Sequence, residues 1–479
     1  VPPRNEVTPC RRVRLADAAP SLLVADFARI REQFDVHPEF PDEVEEAARA
    51  AAARPLPADG RADLRDLAFF TVDPPGSMDL DQAMLLERLP GGGHRVRYAI
   101  ADVGHFVDRE GVIEAEAWKR GVTVYTPDLR CPLYPLALGE GAASLLADED
   151  RPAVVFTVEL DDHGTTTSAS VGRSLVRSRD RLDYAHLGGE REAILHEIAE
   201  RRIGLARERG AVALNAADQQ VVPDPGSGCG YRLEWETRLP SEDWNAEISL
   251  LAGSVAAAVM LRHQVGLLRT MGGADPYRVD VLRHAAAALG VSWPAETSYE
   301  EFARDLRPTD APRAALLEQA RGVMGRAGYT AFSGEVPAEH VHAGLATSYA
   351  HTTAPLRRLA DRYVLDLLVD LEAGRSPSPE AVATLARLPD TMEEAESRAG
   401  QVERAIVDDL EARLLEHRVG EEFQAAVVEQ DARGARLQIA EPPIRARLHS
   451  DRRFEPGTTL AVKLLAADPV GRSLRFAPA

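Results

Sequence analysis

One segment limits what the rest of the chain can be. Thr71–Met84, TVDPPGSMDLDQAM, places three carboxylates, Asp73, Asp79 and Asp81, around a turn. The preceding LAFFTV is aromatic, apolar and β-branched, the composition of a buried strand, and Pro74-Pro75-Gly76 breaks it. Asp73 therefore stands where the strand ends. Asp79 and Asp81 are two residues apart, on one side of an extended chain, and the turn brings them back beside Asp73. Three carboxylates that close repel one another and hold protons unless a cation neutralises them. Hard oxygen ligands in an irregular loop suit Mg²⁺ or Mn²⁺ rather than zinc. The spacing is not that of an EF-hand, which needs D-x-D-x-D-G and a closing Glu. A solvated acidic turn is the plainer alternative, and the segment alone leaves it open.

The full string resembles the catalytic signature of the ribonuclease II (RNB) family of 3′→5′ exoribonucleases. There, a strand ending in T-[IV]-D is followed by P-x-x-x-x-D-x-D-D-A. Thr71, Val72, Asp73, Pro74, Asp79, Asp81 and Ala83 match, and Gln82 stands at the family's fourth acid. The resemblance implies that Asp73, Asp79 and Asp81 hold Mg²⁺, with Mn²⁺ as a substitute. Gln82 would add only a neutral oxygen to that metal site.

A second segment, YAHTTAPLRRLADRYVLDLLVDL, resembles the family's Y-[TA]-[HT]-[FW]-T-S-P-I-R-[RK]-Y-x-D at Tyr349, Thr353, Pro355, Arg357, Arg358 and Asp361. Pro355 is expected to open a helix, with Arg357 projecting from an N-terminus that favours phosphate. Alone, the segment reads as an ordinary basic helix start. With the first motif, Arg357 is implied as the catalytic cation that meets developing charge in phosphoryl transfer, and Arg358 as an RNA contact.

Weaker matches surround these two. Tyr125, in RGVTVYTPDLRCPLYP, matches a family tyrosine that packs against the 3′-terminal bases; core packing is the alternative. Tyr184 matches a tyrosine bordering the nucleotide pocket. Glu247, in WNAEISLLAGSVAAAVMLRHQ, matches a glutamate that reads the ribose 2′-hydroxyl, against the alternative of a helix-face ion pair, and Gly253 replaces the usual Asn. Leu214 stands where relatives carry a second base-stacking aromatic. Glu403 and Arg404 match an A-E-R near the family's active site. His340, His342 and His351 are not spaced as a metal triad and are expected to be structural.

The organisation expected is α+β and multidomain. Residues 1–60 read as a small helical domain, with LVADFARIREQF and DEVEEAARAAAAR as its helices and a helix-turn-helix-like arrangement in view. Its arginines, Arg4, Arg11, Arg12 and Arg14, suit phosphate or simply a solvated tail. Residues 61–416 read as a central mixed α/β RNB catalytic domain, mainly strands and turns to about 175 and mainly helical beyond. From 417 to 479 the period changes to two. EEFQAAVVEQ, GARLQIA, IRARLHS, TTLAVKLLAAD and RSLRFAPA form the five strands of an OB-fold barrel, resembling the S-one-type RNA-binding domain of ribosomal proteins. Arg436, Arg445, Arg447, Arg472 and Arg475 suggest a phosphate-tracking face there.

The net charge of −20 is unusual for a nucleic-acid protein, yet residues 418–479 hold ten Arg and Lys against eight Asp and Glu. Acidic walls with local basic channels confine RNA to the channel. No run of about 18 or more apolar residues appears, so no transmembrane helix and no membrane partner are expected. The first residues, VPPRNEVTPCRRVRL, lack the apolar core of a secretion signal, and Cys10, Cys131 and Cys229 are odd in number and unpaired by motif. Both fit a cytoplasmic protein. The resemblance implies a processive, monomeric exoribonuclease that degrades single-stranded RNA to nucleoside 5′-monophosphates and binds DNA at most without cutting it. Gln82 and Leu214 also suit a catalytically weakened RNA-binding regulator of the same fold. An acidic scaffold with no RNA role is the third reading.

Overall fold

Phe69, Phe70, Thr71 and Val72 are all buried, and they form the expected strand at the centre of a sheet. A strand buried on both faces favours such an unbroken run of aromatic and β-branched residues. The computed structural model describes residues 13–15, 21–56, 60–212, 219–224, 231–235, 239–307, 309–431, 434–439, 441–442, 444–448, 450 and 452–479. Leu214, Arg4, Arg11, Arg12, Cys10 and Cys229 lie outside the described residues.

The Phe69–Val72 strand pairs antiparallel with Gln82–Arg88, which continues into His94–Ala101 and then Asp150–Leu160. On its other side it runs parallel to Thr166–Leu182. That 17-residue strand also pairs antiparallel with Asp150–Leu160 from Thr166 to Arg177, so the sheet curls back on itself. Helices cover it. Gly189–Glu208 packs on Gln82–Arg88, Leu359–Glu372 on Thr166–Leu182, and Pro240–Arg262 on His94–Ala101 and both helices. Among the described residues Pro240–Arg262 alone is, by length and composition, long and apolar enough to cross a membrane. Here 61% of its most apolar window is buried inside the protein.

The N-terminal segment holds the two expected helices, Ser21–Gln33 and Asp42–Ala52. Their buried residues, among them Phe27, Ile30, Val44 and Ala48, pack into the same core as the sheet. One correction applies: Val13–Leu15 is a strand, parallel to Gln219–Val221, because a partner some 200 residues away supplies hydrogen bonds that local periodicity does not reveal. The region after 175 likewise contains paired strands, Val265–Met271 with Ala327–Ser333, between its helices.

The C-terminal five strands are Glu422–Asp431, Gly434–Ile439, Ile444–Leu448, Thr459–Asp468 and Ser473–Pro478, and they close into a barrel. Alternate residues point inward: Phe423, Ala425 and Val427, then Leu437 and Ile439, then Ile444, Ala446 and Leu448. The 38-residue helix Pro379–Glu416 leads into it, and Glu411 Oε1 accepts the Arg445 N–H at 3.4 Å.

Candidate active site

The pairing of Phe69–Val72 with Thr166–Leu182 runs one residue further, the Asp73 N–H donating to Leu182 O at 3.1 Å. Ser77 N–H then closes the proline turn on Pro74 O at 3.2 Å. Gly76 sits at φ +84°, a conformation that a side chain would strain. Ser144 pins the returning chain: its Oγ accepts from Leu80 N–H at 2.9 Å and donates to Met78 O at 2.6 Å. Leu145 N–H donates to Leu80 O at 3.0 Å, and Leu80 is fully buried. Phe70 pairs with Met84, so the turn joins two strands that lie side by side. The turn thus leaves Asp73 and Asp81 at the same end of a buried pair of strands.

Asp81 is buried; its Oδ1 accepts the Leu356 N–H at 2.7 Å and its Oδ2 the Arg357 Nε–H at 3.3 Å. Asp79 Oδ2 accepts from the Tyr125 hydroxyl at 3.2 Å, and its Oδ1 from Arg130 Nη1. Asp73 Oδ2 is buried with no hydrogen-bond partner among the described residues. Burial pushes the Asp81 carboxyl up to about 8 against the pull of Arg357 and the Leu356 N–H. It pushes Asp73 up to about 6, with Asp79 adding to the rise and Arg357 and Arg181 opposing it. Buried carboxyls that resist ionisation, beside an unpartnered buried oxygen, fit the donor set of a hard cation. Among the described residues no three His, Cys, Asp or Glu side chains stand grouped around a metal position. Asp79 is turned onto Arg130, and Asp81 onto Leu356 and Arg357. Gln82, in the strand, donates its amide N–H to Thr353 O.

Pro355 does not open the helix, which begins at Leu359. Asp361 Oδ2 accepts the Ala354 N–H at 2.7 Å and Arg358 Nη2–H at 2.9 Å, and Arg358 makes a strand bridge to Val122. These contacts hold residues 354–358 as a turn and delay the helix by four residues. Arg357 faces Asp81, whereas Arg358 is engaged by the fully buried Asp361.

Tyr125 lies on a short hairpin, paired with Arg130 across it, and is 49% exposed on the side of Asp79. Tyr184 packs part-buried against the core, where its carbonyl accepts from Ser241 Oγ at 2.5 Å and its hydroxyl meets Asn245 Nδ2 at 3.5 Å. Glu247 follows two residues later on the same helix, its carboxyl pushed up to about 7 by burial, against Arg202 and Arg209. Tyr98, bonded to Ser249 Oγ at 2.8 Å, feels Asp73, Tyr184 and Asp81 and so connects this group to the acids. Glu403 lies part-buried on Pro379–Glu416. His342 and His351 are buried, and His351 Nδ1 lies 2.7 Å from the Tyr329 hydroxyl. On the barrel, Arg436 and Arg447 pair with Glu429 and Asp431 at 2.9 and 2.7 Å, so the barrel's own acids neutralise two of the five arginines.

Sequence reasoning missed Arg130, Glu140, Ser144 and Tyr98. Arg130 was within reach, five residues after Tyr125, where a tight hairpin returns the chain to the same place. Ser144 carried no signal, because its role lies in a contact 64 residues away.

A family model of the RNB domain matches residues 61–373, and one of the RNase II-type exonuclease C-terminal S1 domain matches residues 421–479. Ribonuclease R of Thermotoga maritima is 27% identical over 448 residues, covering 86% of this chain and 61% of that protein. Ribonuclease R of Escherichia coli is 27% identical over 400 residues, covering 77% and 48%. The chain thus spans about half to three-fifths of the length of these curated relatives. Among solved structures, Mycoplasma genitalium RNase R in complex with ribose methylated single-stranded RNA superposes with a TM-score of 0.84 at 19% identity, covering 95% of this chain and 78% of that one. Yeast Ssd1, a pseudonuclease, superposes at 0.66 and 18% identity, covering 86% and 54%. Those two likenesses show the fold. The RNB match takes in the curled sheet, the three aspartates and Arg357 together, and by that match the chain belongs to the RNB family.

Proposed function

We propose that the chain is a divalent-metal-dependent exoribonuclease that degrades single-stranded RNA from the 3′ end, processively, releasing nucleoside 5′-monophosphates. The observation that carries this reading is the acid group itself: Asp81 buried against Arg357, Asp73 with a buried unpartnered oxygen, and Asp79 close enough for its charge to act on both. Asp73, Asp79 and Asp81 would hold the cation, Mg²⁺ or Mn²⁺, and Gln82 adds no charge to it. When bound, such a cation supplies Lewis acidity and lowers the pKa of a water. Arg357 steadies the scissile phosphate, since its guanidinium is the cation nearest Asp81 and charge builds there. Tyr125, half exposed beside Asp79, stacks a terminal base. Glu247 and Tyr184 select ribose through the 2′-hydroxyl, so DNA is bound without being cut. The similarity to ribonucleases R and the barrel support an RNA path from the C-terminal domain to the chamber. We place the enzyme in the cytoplasm as a monomer.

A second reading, an RNA-binding regulator that does not cut, is favoured by Gln82 turned to Thr353 and by Asp79 neutralised by Arg130. One experiment separates the two: 3′-labelled and 5′-labelled oligo-RNA incubated with and without Mg²⁺ or Mn²⁺. Mononucleotide release that requires the ion supports the enzyme. A gel shift with intact RNA at every ion concentration overturns it in favour of the regulator.

A further inference from the structure

Arg130 holds Asp79 with Nη1 and Glu140 with Nη2, the latter at 2.7 Å from Oε1. Its own place is fixed by the hairpin that pairs it with Tyr125, whose hydroxyl binds the other oxygen of Asp79 at 3.2 Å. Both oxygens of Asp79 are therefore occupied, one by a full positive charge and one by a hydroxyl. A carboxylate so engaged is a poor ligand until the guanidinium lets go, because a divalent cation and an arginine compete for one negative charge. Asp79 is only 18% exposed, so water screens this competition less than it would at the surface. Glu140 gives the guanidinium somewhere to remain.

From this geometry we infer that Arg130 is a resident counter-ion of the acid cluster, displaced from Asp79 by the divalent cation and retained by Glu140. The inference rests on the reading of Asp73, Asp79 and Asp81 as the cation site. It makes Arg130 a positioning residue that sets how much metal the site demands. It also couples metal binding to Tyr125, since both act on Asp79.

The test is a Mn²⁺ titration of the full chain without RNA, free Mn²⁺ being read by electron paramagnetic resonance. Arg130→Met is expected to tighten Mn²⁺ about tenfold, the loss of one competing charge-assisted bond. Arg130→Lys, which keeps the charge without the fork, falls between the two. Glu140→Gln is expected to weaken Mn²⁺ binding about threefold in the parent, by leaving Arg130 wholly to Asp79, and to have no effect in the Arg130→Met background. If Glu140→Gln weakens binding equally in both backgrounds, only the bare field of the carboxylate is acting and the inference fails. It fails too if Arg130→Met binds Mn²⁺ within twofold of the parent while the parent still cleaves RNA, an outcome that leaves the proposed function standing. A parent and an Arg130→Met variant that both bind no Mn²⁺ at millimolar concentration overturn the cation site itself, and this inference with it.

Discussion

The backbone N–H of Leu356 lies 2.7 Å from Asp81 Oδ1, joining two segments 275 residues apart in the chain. The bond ties the turn that carries Arg357 to the strand that carries the acids. An amide at position 81 keeps an oxygen for Leu356; it gives up the acceptor that meets Arg357 Nε–H, a loss that removing a buried charge offsets. Asp81→Asn is therefore expected to fold normally, with thermal stability in metal-free buffer equal to the parent's or higher, since burial already disfavours the ionised carboxyl. It should bind RNA within about threefold of the parent and lose cleavage by about 10³-fold or more. Cleavage at the parent rate would remove Asp81 from the machinery.

Tyr125 offers two separable groups, a hydroxyl on Asp79 and an exposed ring. Tyr125→Phe keeps the ring and should leave the ladder of products unchanged. Tyr125→Ala removes a base–aromatic contact of roughly 1–3 kcal/mol and should lengthen the final fragment. Product ladders from a labelled 20-mer that are identical for parent and Tyr125→Ala would count against stacking.

Glu247 gives a pH signature. Its carboxyl is raised from 4.5 to about 7 by burial, with Asp243 adding and Arg202 and Arg209 opposing. The folded state therefore holds a proton that the unfolded chain has already lost between those values. The penalty on folding is absent below about pH 4.5, grows with rising pH and is complete above about 7. Glu247→Gln should accordingly stabilise the protein by roughly 2–3 kcal/mol at pH 8 and leave it unchanged at pH 4.5, as read from urea denaturation. If Glu247 also reads the 2′-hydroxyl, Glu247→Ala narrows the preference for RNA over DNA in a cleavage assay.

Gly253 has no room for a side chain. A β-carbon there would lie 2.1 Å from Tyr349 Cε2 and 2.6 Å from Ala350 O. Gly253→Ala should cost about 1–3 kcal/mol of stability, and Gly253→Asn more. Because half the obstruction is the Tyr349 ring, a Tyr349→Ala background should partly relieve the cost. Additive losses in the double variant, measured by thermal melts, would contradict the contact.

The barrel was legible almost residue by residue. The strand expected at 421–430 is found at Glu422–Asp431, because alternation plus Gly and Pro turns fixes both face and boundary. The acid loop was legible as well, since strand, turn and return are all local events. What the sequence hid are features whose cause lies far along the chain. Pro355 reads as a helix start until the buried Asp361 and Val122 are seen holding it in a turn. Val13–Leu15 has no strand signal without its partner at Gln219–Val221. Arg358, which motif matching offered to RNA, also pairs with Asp361, an i+3 neighbour whose burial the sequence does not state.

The helix Pro379–Glu416 touches the paired strands Val265–Met271 and Ala327–Ser333 at Glu396, which pairs with Arg269 and accepts from Tyr329, and touches the barrel at Glu411. The axis between those residues is about 22 Å of continuous helix, which does not stretch. It acts as a ruler. On the proposed function, an RNA engaging both the barrel and the acid site would be held at two points whose separation this helix helps to fix, and its second contact would form at high effective concentration. On that reading a strand shorter than the ruler would have one point of attachment, and its residence time would fall abruptly rather than in proportion to its length.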